Sequence, residues 1–188
     1  MQLLVAGLVI FLAIHLVPTV PALRASVVKS SGENRYKGVF SLLAGAGLVM
    51  IVWGYAIAPR GPQWLLPSEL ARQAAPLVVT LSLILLAAAN MRTHIRRALR
   101  HPMLIGVGLW SAMHLLANGH AKATLLFGAF LAYAALDLGS AIARGTVRNF
   151  EPKALHDAIA VGSGLTLALI VMAFHRQIFG AAAVPWGF

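Results

Sequence analysis

The chain has 188 residues, of which 60% are hydrophobic and only 11% are charged. Because soluble domains carry about 25% charged residues, the composition excludes an ordinary soluble enzyme and predicts an integral membrane protein. The net charge of +10 would suggest nucleic-acid binding in a soluble protein. The lack of cysteine excludes disulfides, thiolate metal sites and a cysteine nucleophile.

Six apolar runs predict six transmembrane helices, since one span needs about 20 apolar residues. In chain order they cover residues 3–23, 38–58, 75–92, 102–119, 121–144 and 154–178. The spans and their short loops account for the whole chain, so we expect one all-α domain over residues 1–188. No basic segment precedes the first span, and a cleaved signal peptide is therefore not expected.

Lysine and arginine are distributed unevenly among the predicted loops. The first, third and fifth loops hold 11 of them, whereas the even loops and the C-terminal end hold 4. The positive-inside rule therefore predicts that the odd loops are cytoplasmic and that both termini lie on the outer side of the membrane. Trp64 and Trp186 would then lie at the outer interface, where aromatic residues are enriched. This topology explains the basic charge without nucleic acid.

Two of the seven histidines are predicted to lie deep in the membrane. His15 is expected about 12 Å and His114 about 18 Å from the cytoplasmic ends of their spans. Intramembrane ionisable residues are functional candidates, and neutral imidazole binds iron. A closed zinc site would need four ligands, whereas haem needs only two axial ones. We therefore predict that His15 and His114 are the two axial ligands of haem b. His101 and His175 are the alternative ligands.

The faces that carry the two histidines suit a flat macrocycle, because each has a glycine and an aromatic residue at i, i+4 spacing. These residues are Gly7 and Phe11 beside His15, and Gly106 and Trp110 beside His114. Arginines at the cytoplasmic face could pair with the haem propionates; the candidates are Arg24, Arg35, Arg97 and Arg100. The alternative is that the glycines serve helix packing and that the histidines bond neighbouring helices. Asp137 is expected either to orient a histidine or to pair with an arginine.

Three segments carry a family resemblance. They are "FLAIHLVPTVPALR" (11–24), "YKGVFSLLAGAGLVMIVWGYAIAP" (36–59) and "RHPMLIGVGLWSAMHLLANG" (100–119). Together they resemble the NnrU family of bacterial inner-membrane proteins, and the resemblance covers essentially the whole chain. It implies a location in the bacterial inner membrane, with both termini in the periplasm, and an association with denitrification and nitric oxide metabolism.

The same domain is similar to the 15-cis-ζ-carotene isomerase, which binds haem b and isomerises a double bond without net redox change. Its second ligand matches His114 in "LWSAMH", and its first most plausibly matches His15. The isomerase has a cysteine three residues before the second ligand, where this chain has Ser111. A haem-dependent isomerase of a polyene is therefore an alternative, but without ligand switching by a thiolate.

Other functions stay open at this point. "RHPMLIG" (100–106) resembles a segment that helps integral-membrane methyltransferases bind S-adenosylmethionine, although their downstream glutamate pair is missing here. A structural protein, and an electron carrier that would need a redox partner, are the remaining classes. The expected partners are thus haem, the lipid bilayer and a small gaseous or lipophilic ligand.

Overall fold

The computed structural model describes residues 1–145 and 149–184. Trp186 and Arg148, one of the basic residues counted in the fifth loop, lie outside the described residues. The described residues form α-helices joined by turns, with one isolated β-bridge and no strand. The helices are α1 (Gln2–Leu16), a 3-10 turn (Val17–Thr19), α2 (Pro21–Ser31), α3 (Glu33–Ile57), α4 (Glu69–Ala88), α5 (His94–Leu99), α6 (Pro102–Ala117), α7 (Ala121–Ala143) and α8 (Ala154–Phe179).

Five helical segments of the described residues are long and apolar enough to cross a membrane: α1 with its 3-10 turn, α3, α4, α7 and α8. The fourth predicted span is the apolar helix α6, which has only 16 residues and is about 24 Å long. The all-α prediction and the multi-pass membrane class are confirmed at this level. Where six spans are predicted, the described residues thus give five candidate spans and one shorter apolar helix.

Helix α6 runs antiparallel to both α4 and α7. The backbone N–H of Ser68 donates to Leu116 O at 2.8 Å, which places the start of α4 beside the end of α6. Residues 118–120 alone connect α6 to α7. We call the end of the bundle with residues 58–68 and 118–120 the loop end, and the opposite end with residues 89–101 the basic end.

Glycines set the closest helix contacts. A Cβ atom on Gly7 would lie 2.7 Å from Ile51 N of α3, and one on Gly106 would lie 2.9 Å from Ser82 O of α4. These two glycines therefore permit helix packing, and their faces are occupied by neighbouring helices rather than left open for a flat ligand. Gly164 of α8 approaches α4 in the same way.

The packed helices follow the spatial order α3, α1, α7, α6, α4 and α8. The contact between α1 and α3 is the most extensive, and that between α1 and α7 is sparse. Helix α6 packs on α4 and α7 rather than on α1. This order leaves a gap between α1 and α6, and α7 forms its back wall.

Candidate functional site

The gap between α1, α6 and α7 is a cavity of about 720 Å³ that opens at the basic end. Its size lies in the usual range for small-molecule sites, about 300–1,000 Å³. The lining combines aromatic rings, aliphatic side chains of α6, two histidines, three arginines and one carboxylate. The residues are Phe11, His15, Arg96, Arg100, His101, Met103, Leu104, Val107, Phe130, Tyr133, Asp137, Ala141, Arg144 and Phe150.

His15 lies in the last turn of α1 and lines this cavity. Its Nδ1 is 2.6 Å from the carbonyl oxygen of Phe11. Because a carbonyl oxygen only accepts, Nδ1 carries the proton and Nε2 is left free as an acceptor or metal ligand. The imidazole stacks on the Phe11 ring at 4.1 Å and meets the edges of Phe40 and Tyr133.

His114 has the same local arrangement but a different place. Its Nδ1–H donates to Trp110 O at 2.8 Å, which again leaves Nε2 free. The ring stacks on Phe127 at 4.6 Å and is not among the residues that line the cavity. It lies in the last turn of α6, toward the loop end.

The two predicted ligands are connected by an aromatic row, which consists of Phe11, Phe130 and Trp110. Successive ring centroids from His15 to His114 are 4.1, 5.7, 5.7 and 5.3 Å apart. Three aromatic rings thus lie between the two imidazoles. Helix α1 ends at Leu16, seven residues before the predicted end of the first span, so that His15 lies close to the basic end.

Arg100, which is predicted as a partner of a haem propionate, lines the cavity. Arg96 and Arg144 line it as well, and sequence reasoning missed both. Arg24 is instead paired with Glu33 at 2.8 Å, and neither Arg35 nor Arg97 is among the lining residues. The choice between adjacent arginines of α5 depends on helix rotation, for which the sequence carries no signal.

An unusual turn presents Arg100 and His101 to the cavity. Arg100 has φ 63° and ψ −47°, and the N–H of His101 donates to Leu99 O at 2.7 Å. These are the features of a γ-turn of the rare, strained form. Pro102 then begins α6, as proline often does at a first helical position. Strained backbone at a non-glycine residue is a pointer to function.

Helix α5, which carries Arg96, is fixed at its start. Thr93 is fully buried, and its hydroxyl accepts from Arg96 N at 2.9 Å as an N-cap. Asp157 of α8 accepts from His94 N at 2.8 Å and lies 2.5 Å from the His94 ring. The arginine side of the cavity is thus attached to α8.

Polar side chains of α7 form the opposite wall. Tyr133 OH donates to Asp137 at 3.1 Å, and Arg144 lies 3.7 Å from the same carboxylate. The hydroxyl of Ser140 and the guanidinium of Arg144 both donate to Thr19 O, at 2.7 and 2.6 Å. Of the two roles expected for Asp137, pairing with an arginine is confirmed.

The donor set can be tested against a metal. Within residues 1–145 and 149–184, no three His, Asp or Glu side chains gather in a way that would hold a bare metal ion. A porphyrin supplies four nitrogens itself, so one cavity imidazole with a free Nε2 and nearby guanidinium groups fits haem. His15, Arg96, Arg100 and Arg144 provide this set. His114 does not line the cavity and is therefore not part of this donor set.

The fold and the site define a multi-pass helical membrane protein with an arginine-rimmed cavity between its helices. The sequence model of the family described as NnrU protein matches residues 3–183. The chain therefore belongs to the NnrU family. No curated protein and no solved structure matches it.

Proposed function

We propose that this protein binds haem b in the cavity between α1, α6 and α7, with His15 as an axial ligand. The observation that carries the proposal is the free Nε2 of His15 in a cavity with aromatic and aliphatic walls and a cationic rim. Bound haem iron supplies reversible coordination of small ligands and one-electron chemistry. Family membership links the proposal to nitric oxide and denitrification.

The second axial ligand is proposed to be His114, whose Nε2 is equally free. The aromatic row connects the two imidazoles, so joint ligation needs a rearrangement of its side chains. His101 is the second imidazole that lines the cavity, and it is the competing candidate. A site with His15 alone would leave one axial position for nitric oxide.

The proposal includes an arrangement of six crossings in the bacterial inner membrane with both termini in the periplasm. Helix α6 supports six crossings because it extends from the basic end to the loop end like its neighbours. The basic end, with Arg92, Arg96, Arg97 and Arg100, then faces the cytoplasm. The arginine rim of the cavity would lie on that side.

Two enzymatic alternatives remain proposals. For an isomerase of a polyene, the relevant position is Ser111, which is fully buried and donates to Val107 O at 2.7 Å. It therefore cannot take the part of a cysteine near the iron. For a methyltransferase, Arg100 and His101 at the cavity mouth suit the carboxylate of S-adenosylmethionine.

The test is the visible spectrum of protein purified from haem-replete cells, with His15→Ala, His114→Ala and His101→Ala beside it. His120→Ala, in the turn between α6 and α7, is the matched control. We expect a Soret band that is lost or strongly reduced in His15→Ala, unchanged in His120→Ala and shifted by nitric oxide. Loss of the second axial ligand, in His114→Ala or His101→Ala, should change the spectrum from that of six-coordinate haem to that of five-coordinate haem.

A Soret band that is equally strong in His15→Ala refutes the site. A colourless wild-type protein that binds S-adenosylmethionine favours the methyltransferase. Conversion of a cis polyene by the haem-loaded protein favours the isomerase.

A further inference from the structure

The cavity mouth has an excess of positive charge. Arg96, Arg100 and Arg144 line it, and Asp137 is the one carboxylate among the lining residues. That carboxylate already accepts from Tyr133 and is paired with Arg144. Two guanidinium groups of the lining are therefore without a carboxylate partner among the described residues.

Arg100 and His101 are the residues of the mouth with the fewest partners. Within the part of the chain that the structure describes, neither side chain makes a hydrogen bond, ion pair or ring contact. The guanidinium of Arg96 donates to Met91 O at 3.5 Å and lies over the Phe150 ring. The strained turn at Arg100 (φ 63°) thus presents a cation that forms no bond with the residues that the structure describes.

The space behind the mouth is largely apolar. Leu104, Val107, Phe11 and Phe130 line it, and the polar side chains beside them are His15 of α1 and Tyr133 of α7. A ligand that fits both parts has an apolar body and anionic groups at one end. Arginine binds carboxylates and phosphates through paired N–H donors, so either anion suits the mouth.

We propose that the mouth formed by Arg96, Arg100 and Arg144 is an anion-binding site that selects amphiphiles with carboxylates or phosphate at one end. The carboxylates would be those of a porphyrin, and the phosphate that of an anionic phospholipid. The proposal specifies the class of ligand for the haem site, and the part that concerns porphyrins rests on the proposed function. Binding of the anionic groups does not require iron. Arg100 is the central residue because its guanidinium has no partner among residues 1–145 and 149–184.

The experiment uses purified full-length protein with metal-free protoporphyrin IX and its dimethyl ester, which has no free carboxylate. Binding is measured by porphyrin fluorescence, and absence of iron removes axial ligation from the result. The variants are Arg100→Gln and Arg96→Gln, with Arg97→Gln as the matched control on the same helix but off the cavity. A second arm repeats the titration in nanodiscs of phosphatidylglycerol or of phosphatidylcholine.

We expect Arg100→Gln to weaken binding of the free acid about tenfold, because a hydrogen bond between charged groups is lost. Binding of the dimethyl ester should be unchanged, and Arg97→Gln should match the wild type with both porphyrins. If a phospholipid headgroup also occupies the mouth, phosphatidylglycerol should weaken free-acid binding relative to phosphatidylcholine. Arg100→Lys, which keeps the charge, should retain part of the affinity and exclude misfolding as the cause.

Equal free-acid affinity in Arg100→Gln and Arg97→Gln, with no effect of phosphatidylglycerol, overturns the inference even if the protein carries haem. A wild-type protein that binds the free acid in preference to the ester, but has no Soret band after haem reconstitution, supports the inference and refutes the haem assignment. Failure of the anion-binding inference and failure of the haem assignment therefore give different results.

Discussion

The contact between α1 and α3 gives the sharpest test of the packing. Gly47 of α3 is buried against Phe11 of α1, and a Cβ atom there would lie 2.9 Å from both Phe11 N and Phe11 Cβ. Ordinary Cβ contacts begin at 3.4 Å, so Gly47→Ala must separate the helices by about 0.5 Å. Overpacking of this kind costs about 1–3 kcal/mol.

Gly45→Ala is the control, because a Cβ atom at Gly45 meets nothing within 4 Å. Both substitutions gain the same helix propensity, about 1 kcal/mol, so this gain cancels in the comparison. The free energy of unfolding is measured by circular dichroism in detergent micelles titrated with sodium dodecyl sulfate. Gly47→Ala should be the less stable by about 1–3 kcal/mol, and identical midpoints for both variants would show that the helices do not meet there.

Three further predictions follow from single features. Arg100→Gly should raise the free energy of unfolding by about 1 kcal/mol, because glycine adopts φ 63° without strain; a decrease in the same titration would contradict the strained turn. Ser82→Ala should cost about 0.6 kcal/mol, since its buried hydroxyl donates to Gly106 O at 2.7 Å across α4 and α6, and no loss would argue against that bond. Because the chain has no cysteine, Gln63→Cys and Arg97→Cys give single labelling sites at opposite ends; in intact cells a membrane-impermeant maleimide should reach only the first through the periplasm, and equal labelling would contradict the proposed topology.

The sequence predicts the helices better than their ends. The predicted spans 121–144 and 154–178 agree closely with Ala121–Ala143 and Ala154–Phe179. Helix α3 begins at Glu33 rather than at residue 38, because hydropathy marks the apolar part of a helix and not its polar first turns. Helix α4 likewise begins after Ser68, whose side chain caps it.

The site was only partly predictable, because a cavity depends on helix order and rotation. The sequence pointed to His15, Phe11 and Arg100, which the structure brings to one cavity. It also pointed to His114, which does not line the cavity. The depth of a residue can be calculated from a rise of about 1.5 Å per residue only when the end of its helix is known. Nothing in the sequence showed that α7 would lie between α1 and α6.

The break after α1 explains why polar groups can collect at the basic end. Pro18 and Pro21 stop the helix, so the carbonyl of Thr19 accepts from Ser140 of α7 and from Arg144, which follows α7, rather than from its own helix. The same break keeps α1 short, and the cavity opens where α1 and α6 fail to meet. In a bilayer, polar groups along such a gap must be satisfied by protein, water or a ligand. Arg100 at its mouth, which is unpaired among the described residues, is therefore the place where an incoming anion would gain most.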